Sequence, residues 1–303
     1  MLNNIQTFFS VLVLIFFIGM FITTYKHKKT LINLVLITTI SLILINLNQW
    51  YFTGIGILFI LFPLFNKKIT HNNLAIFSML GSIIGSYFIL VLYQNIQIPI
   101  LMIIITISLI IMCLLSVLGI LEKNIKKYLI ISNLIQFIFV ILDLSVAKAT
   151  GTIGSLGIIQ IFNYTLAGTL FFLTLIILNK EKLNKFKDIQ GYYYKDHIIG
   201  IFVIIACISL AGLPGLNIFV SEWLLFVKAF TIDPAITIIG IFIALLLFIM
   251  YFKVIYILIS KYSIHKQKSH LLPKMYVILL GVLCLIFGII FKLQFYIFDK
   301  VLA

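Results

Sequence analysis

The sequence predicts an all-α fold, a polytopic transmembrane helix bundle of about ten crossings, with one helix broken around Leu213–Gly215. Three observations lead there. Hydrophobic residues fill 63% of 303 positions and charged residues only 10%, where soluble domains run about half apolar and about a quarter charged. Apolar runs long enough to cross a hydrocarbon core, about 20 residues each, recur from end to end. The runs are continuous rather than alternating, which favours helices over a barrel, the two architectures that satisfy their own backbone in lipid.

The expected spans are 4–24, 30–48, 52–66, 74–93, 98–120, 128–147, 153–179, 234–260 and 273–296. The first is followed by Thr-Thr-Tyr-Lys-His-Lys-Lys with no small-residue cleavage site, so it is expected to stay as a helix rather than leave as a signal peptide. A further apolar stretch, 197–231, is interrupted by Gly212-Leu213-Pro214-Gly215. The lysines decide how often it crosses. Counted once, it puts the loops 25–29, 66–73, 121–127, 180–196 and 261–274 on one side, with 17 of the 22 lysines. Counted twice, it moves the last of these loops to the lysine-poor side. The positive-inside rule therefore favours one broken crossing and both termini outside. The chain reads as a single transmembrane domain, 1–303, with no soluble domain, low-complexity tract or internal repeat.

The net charge of +14 is carried by lysine alone. Because these lysines lie in short loops between apolar runs, they orient the chain in a lipid bilayer and do not suggest a nucleic-acid partner. Cys113, Cys207 and Cys284 stand singly in apolar segments without metal or redox spacing, and are expected to pack as small hydrophobes. No metal cluster, nucleophile motif or nucleotide loop is evident.

Ionisable residues are expensive inside a bilayer, so each one in a span is a candidate for ion movement. Glu222 lies eight residues beyond Pro214 among Val220, Trp223, Leu224 and Leu225. Proline removes a donor and clashes with the preceding turn, which is expected to free carbonyls near Cys207–Ala211 beside this carboxylate. Broken helices with freed backbone groups recur at ion sites within membranes. Lys253 lies about two turns from the lysine-rich end of its span, where snorkelling competes with a place on a proton path. Asp143, near Lys148 and a span end, reads as a boundary residue. Lys67 and Lys68 read as orientation signals, and His71 as a loop histidine.

Four local patterns resemble the antiporter-like membrane subunits of respiratory complex I, membrane-bound hydrogenases and Mrp-type cation/proton antiporters. Residues 210–223, Leu-Ala-Gly-Leu-Pro-Gly-Leu-Asn-Ile-Phe-Val-Ser-Glu-Trp, resemble that family's broken-helix signature, which ends in Phe and then Lys or Glu. The Phe-Val-Ser-Glu-aromatic version is most similar to the hydrogenase-4 component F type. Residues 124–136, Asn-Ile-Lys-Lys-Tyr-Leu-Ile-Ile-Ser-Asn-Leu-Ile-Gln, are similar to Asp-Ile-Lys-Arg-Leu-Leu-Ala-Tyr-Ser-Ser-Ile. Gly157 to Phe172 resembles a helix reading Asn-His-x-Leu-x-Lys-Ser-Leu-Leu-Phe, and Gly54-Ile55-Gly56-Ile57-Leu58 through Pro63 resembles Gly-x-Gly-x-Lys-x-x-x-x-Pro.

On this resemblance, 51–260 is an antiporter-like region, 1–50 holds divergent N-terminal helices and 261–303 a C-terminal helix. The family's relay lysines fall at Leu58 and Gly168, and its histidine at Tyr164. Helices that usually precede the region, one carrying a glutamate, are expected to lack a counterpart here. The resemblance implies a shortened, divergent membrane subunit of a proton-translocating oxidoreductase complex, of the NADH–quinone oxidoreductase (subunit N or mitochondrial subunit 2) or hydrogenase type, with a degenerate proton relay. The proton-path candidates are Glu222, Lys253, Lys126 and Lys127, and the helix-break residues are Gly212, Pro214 and Gly215. The chain itself is expected to hold no cofactor. NADH, quinone and iron–sulfur clusters would belong to partner subunits, and the partners would be other integral membrane subunits in a bacterial cell membrane or the mitochondrial inner membrane. Two alternatives stay open: a cation/proton or inorganic-ion transporter component, and a purely structural assembly subunit.

Overall fold

A computed structural model describes residues 2–25, 27–47, 58–59, 61–63, 70–93, 96–151, 156–178, 185–260 and 271–302. Among them the helices are α1 (Leu2–Thr24), α2 (Lys28–Leu47), α3 (His71–Tyr93), α4 (Ile98–Leu121), α5 (Ile125–Ala149), α6 (Leu156–Leu178), the single turn α7 (Tyr192–Lys195), α8 (His197–Leu210), α9 (Asn217–Ile232), α10 (Pro234–Ile259), α11 (Leu271–Ile289) and α12 (Phe291–Leu302). Eight of them are long and apolar enough to cross a membrane. Most of the expected span 52–66, with Gly54, Gly56, Lys67 and Lys68, lies outside the described residues.

Local chemistry sets where the helices begin. Asn124 caps α5, its Oδ1 accepting from the backbone N–H of Lys126 (2.9 Å) and Lys127 (3.3 Å). Asp233 closes α9 and opens α10 within one residue. Its N–H donates to Ala229, its Oδ1 accepts from Ala235 N–H, and Pro234 supplies a pre-set φ at the first helical position. Asp196 caps α8 through Ile199 N–H and also pairs with Lys274 at 2.9 Å.

The bundle is layered around α6, which packs against α1, α3, α5, α8, α9, α11 and α12. Of the spans, α3 and α6 are 89% buried and α5 is 78% buried, whereas α4 and α10 are 33% buried. The outer helices turn large apolar side chains outward, among them Ile103, Leu114, Phe242 and Tyr256. Such a surface suits lipid and not water.

Helices α8 and α9 have 14 and 16 residues, about 21 and 24 Å at 1.5 Å per residue, and neither alone reaches across a core of about 30 Å. They touch one another little and both pack on α6, α10 and α11, as two halves of one column do. The ends agree. Gln190 before α8 bonds Ser260 after α10 at 2.9 Å, and the Lys274–Asp196 pair joins the start of α11 to the start of α8. The loop at 185–196 also meets the start of α5, through Phe186 N–H to Lys123 O. The lysine-rich loops after α4, before α8 and around α10–α11 therefore share one end, as a single broken crossing requires.

The last expected span, 273–296, needs correction. Helix α11 stops at Ile289, and a separate helix α12 follows from Phe291, so the C-terminal segment 261–303 contains two helices rather than one. Their junction presses on the broken column. A Cβ added at Gly288 would collide with the backbone of Gly215 and Leu216, so only glycine permits this approach.

Candidate functional site in the broken helix

The break is built by glycine before proline acts. Gly212 adopts φ +67°, Leu213 N–H donates to Ile208 O (3.2 Å) and Gly212 N–H to Ser209 O (3.0 Å). This crossed pair is the Schellman termination of a helix, which needs a left-handed residue just past the cap. Gly215 is left-handed as well, at φ 89°, and with Pro214 it re-aims the chain into α9. The expectation that proline frees the carbonyls near Cys207–Ala211 is thus corrected. Those of Cys207, Ile208 and Ser209 are occupied by Ala211, Leu213 and Gly212 N–H, and that of Leu210 receives Gln136 Nε2 at 3.2 Å.

The halves are clipped together across the gap. Ser209 Oγ meets Asn217 Oδ1 at 2.6 Å, and Asn217 Nδ2 donates to Asn163 O on α6 at 2.9 Å. Asn163 Nδ2 reaches Ser221 Oγ (3.3 Å) and Gln294 Oε1 on α12 (3.0 Å), and Ser221 Oγ donates to Gln160 Oε1. On the other flank Asn133 receives Ser82 Oγ at 3.2 Å and the Tyr164 hydroxyl, while Ser132 bonds Tyr251 at 2.7 Å. A polar belt therefore runs through the interior from α3 through α5 and α6 to α9, α10 and α12.

Glu222 sits in this belt, 3% exposed, with its carboxylate turned back onto the break. A Cβ on Gly212 would run into it. Asp143, on α5, is fully buried as well. It stands six residues from the end of α5, near the span end where it was expected, and the bundle encloses it completely. Neither oxygen of Asp143 has a hydrogen-bond partner among the described residues, and the same holds for Glu222 Oε1, Gln136 Oε1, Gln160 Nε2 and Asn163 Oδ1. In a folded interior nearly every buried polar atom is paired, so the unpartnered atoms of Glu222, Gln136, Gln160 and Asn163 along the belt at the break mark it as the candidate site. No group of three or more His, Cys, Asp or Glu side chains gathers there or elsewhere among the described residues.

The other sequence candidates lie elsewhere. Lys253 Nζ donates to Ile120 O (2.8 Å) and Glu122 O, capping the end of α4, and stands 4.6 Å from the Phe186 ring centroid. Lys126 and Lys127 lie at the mouth of α5, half-buried and exposed respectively, and His71 starts α3. Leu58 is 65% exposed, and the space a side chain at Gly168 would need is taken by Met79 and Tyr164. Neither leucine nor glycine carries a group that could relay a proton, and at Gly168 the space is filled as well. The three cysteines are unpaired, Cys207 and Cys284 in the core. Sequence reasoning named Asp143 only as a boundary residue and missed Gln136, Gln160, Asn163 and Gln294. The amides carry no charge signal, though Asn133, Gln136, Val140 and Asp143 share one face at helical spacing.

Residues 70–249 match the family of NADH:quinone oxidoreductase and Mrp antiporter transmembrane segments, more than half of the chain. The chain belongs to that family. Solved structures share the fold. A chain of the membrane-bound sulfane sulfur reductase, an archaeal respiratory membrane complex, superposes with TM-score 0.65 at 18% identity, covering 94% of this chain and 51% of that one. A chain of the Mrp complex from Dietzia gives 0.67 at 12% identity, over 98% and 66%. One from respiratory complex I of Thermus thermophilus gives 0.64 at 15%, over 96% and 85%. The chain thus spans about half of the first of these and under two thirds of the second. No curated protein matches it by sequence. Family and fold together establish an integral membrane protein of the antiporter-like kind, whose structural neighbours are subunits of multi-subunit membrane complexes.

Proposed function

We propose that this chain is a proton-conducting membrane subunit of an oxidoreductase complex, of the NADH–quinone oxidoreductase or membrane-bound hydrogenase type, and that Glu222 carries the proton through it. The observation that carries this reading is the Glu222 carboxylate buried at the break of α8 and α9, with one oxygen unpartnered among the described residues and a belt of side-chain amides and hydroxyls around it. A buried ionisable group of this kind marks an ion pathway rather than a packing element. The lysine-rich end would face the bacterial cytoplasm or the mitochondrial matrix, following the loop charges. Redox groups and their substrates would be held by partner subunits, with this chain supplying the membrane step alone. The relay would be a reduced one, because Leu58 and Gly168 cannot exchange protons.

The test is Glu222→Gln in the complex recovered by mild detergent and reconstituted in vesicles. Gln keeps the shape and removes the titratable group. Proton movement coupled to turnover is expected to fall at least about tenfold, a loss of roughly 1.4 kcal/mol in the coupled step, with assembly intact. Unaltered proton movement in the assembled variant would leave a structural subunit. A chain recovered alone that exchanges cations for protons would make it a transporter.

A further inference from the structure

The break also shapes the outside of the bundle. Between α9, α11 and α12 lies a cavity of about 400 Å³, within the roughly 300–1,000 Å³ of small-molecule pockets. Gly215 and Gly288 line it beside the break, and a Cβ at Gly215 would meet nothing within 4 Å. Phe219, Trp223 and Leu224 line it from α9, and Phe291 and Phe295 from α12. Trp223 is 57% exposed and Phe291 is exposed too, so the cavity opens on the outside of the bundle. Charge is placed at its head. Outside the lysine-rich loops and Lys253, the sequence has four lysines, Lys148, Lys228, Lys292 and Lys300, and two of the four adjoin this cavity. Val220, Leu224 and Lys228 succeed one another at four-residue steps, so Lys228 continues the lining face of α9 one turn beyond Leu224, toward the helix end at Ile232. That end adjoins the start of α10, whose other end meets the lysine-rich loops through Ser260, so Lys228 stands near the lysine-poor surface. Lys292 follows Phe291 in the first turn of α12 and is exposed. Among the described residues neither lysine is in an ion pair.

We propose that this cavity binds an anionic phospholipid, with an acyl chain in the aromatic groove and the phosphate held at the Lys228 and Lys292 end. Shape and charge select this occupant. A helix about 10 Å across would fill such a volume within a single 5.4 Å turn, so the groove is too small to seat a partner helix along its length. A chain of methylenes does fit, and it supplies the dispersion contacts that an empty apolar groove lacks. Two basic side chains at the membrane surface favour a negatively charged headgroup over a zwitterionic one. The lipid would lie against the outside of the broken column, while Ser221 and Glu222 of the same helix are buried in the belt. The site therefore stands whether or not Glu222 carries a proton.

Trp223 lines the cavity and serves as the reporter. The experiment is quenching of its fluorescence by phosphatidylglycerol or phosphatidylcholine brominated in the acyl chains, titrated into vesicles of unbrominated phosphatidylcholine. The full chain is used with whatever partners co-purify, and the signal is the difference between the unaltered protein and Trp223→Phe. Half-maximal quenching is expected at a mole fraction at least about fivefold lower for phosphatidylglycerol than for phosphatidylcholine. Lys228→Gln combined with Lys292→Gln should bring the two lipids together, whereas Lys148→Gln should keep the preference. Equal quenching by both lipids in the unaltered protein would mean a lipid annulus without a site, and would overturn the proposal. So would an absence of quenching by either, which would mean that protein covers the groove, and so would a preference lost equally in Lys148→Gln. Should Trp223→Phe not assemble, native mass spectrometry decides: phosphatidylglycerol retained by the unaltered chain and lost from the double lysine variant supports the site, and equal retention overturns it.

Discussion

Glu222 and Lys253 are both ionisable side chains within membrane-length apolar segments, and the fold treats them in opposite ways. Around Lys253 every need is met. Its ammonium caps the carbonyls of Ile120 and Glu122 and lies over the Phe186 ring. Around Glu222 the helix itself is opened, donors are spent on other partners, and one carboxylate oxygen has no hydrogen-bond partner among the described residues. A satisfied charge is an element of construction. An unsatisfied one, enclosed by a fold that could have excluded it, is where a proton or a water is expected to pass. Location in a span does not distinguish the two residues, but the partner inventory does.

The sharpest way to break the comparison is to close the opening at the break. Gly212→Val places a β-branched residue at φ +67° and drives its Cβ into the Glu222 carboxylate. The left-handed backbone costs about 1–2 kcal/mol and the overpacking about 1–3, about 2–5 kcal/mol together. The expected result is a strong drop in the thermal midpoint of the purified protein, or no assembled protein at all. A variant that is as stable as the parent would mean that the column is not held in this conformation.

A smaller effect is expected one layer away. Gln136 provides the hydrogen bond that the break leaves open at Leu210 O. Gln136→Leu fills the volume but orphans that carbonyl, at about 1–3 kcal/mol, less whatever is gained by removing the unpartnered Gln136 Oε1. Denaturation by heat or detergent titration would read it. Gln136→Glu offers no donor in its ionised form and should fare worse than Leu; the reverse order would show that the amide's role is volume and not hydrogen bonding.

How much of this was legible in the sequence follows from the range of each signal. Glu222, Gly212, Pro214 and Gly215 announce themselves locally, since a carboxylate after glycine–proline punctuation in an apolar run needs no tertiary knowledge to be noticed. The single crossing of 197–231 was legible in the lysine loops, and the contacts Gln190–Ser260 and Asp196–Lys274 place those loops together. Asp143 was legible as a residue near a helix end, six residues before Ala149, but its complete burial was not, because that is set by helices from distant parts of the chain. Gln160, Asn163 and Gln294 are uncharged, and they matter only because three helices bring them together. The break between α11 and α12 carries no proline; Gly288, whose bareness lets Gly215 and Leu216 approach, was the available cue.

The last expectation tests the other arm of the comparison. Lys253→Met keeps most of the side-chain length and apolar contact with Phe186 and Tyr128 while deleting the ammonium that caps α4. A cation at a helix C-terminus contributes about 0.3–1 kcal/mol when exposed. Lys253 is only half-buried, so a loss of about 1 kcal/mol is expected, and it should shrink as salt screens the wild-type contact. Proton movement in vesicles should stay within about twofold of the parent, which is about 0.4 kcal/mol in the coupled step, because no bond recorded for Lys253 leads into the belt. Measured beside Glu222→Gln under the same conditions, the pair of variants should separate cleanly: one stable and slow, the other slightly unstable and fast. A Lys253→Met protein that is stable but fails to move protons would place the pathway at the α4 end and remove the distinction drawn between the two charges.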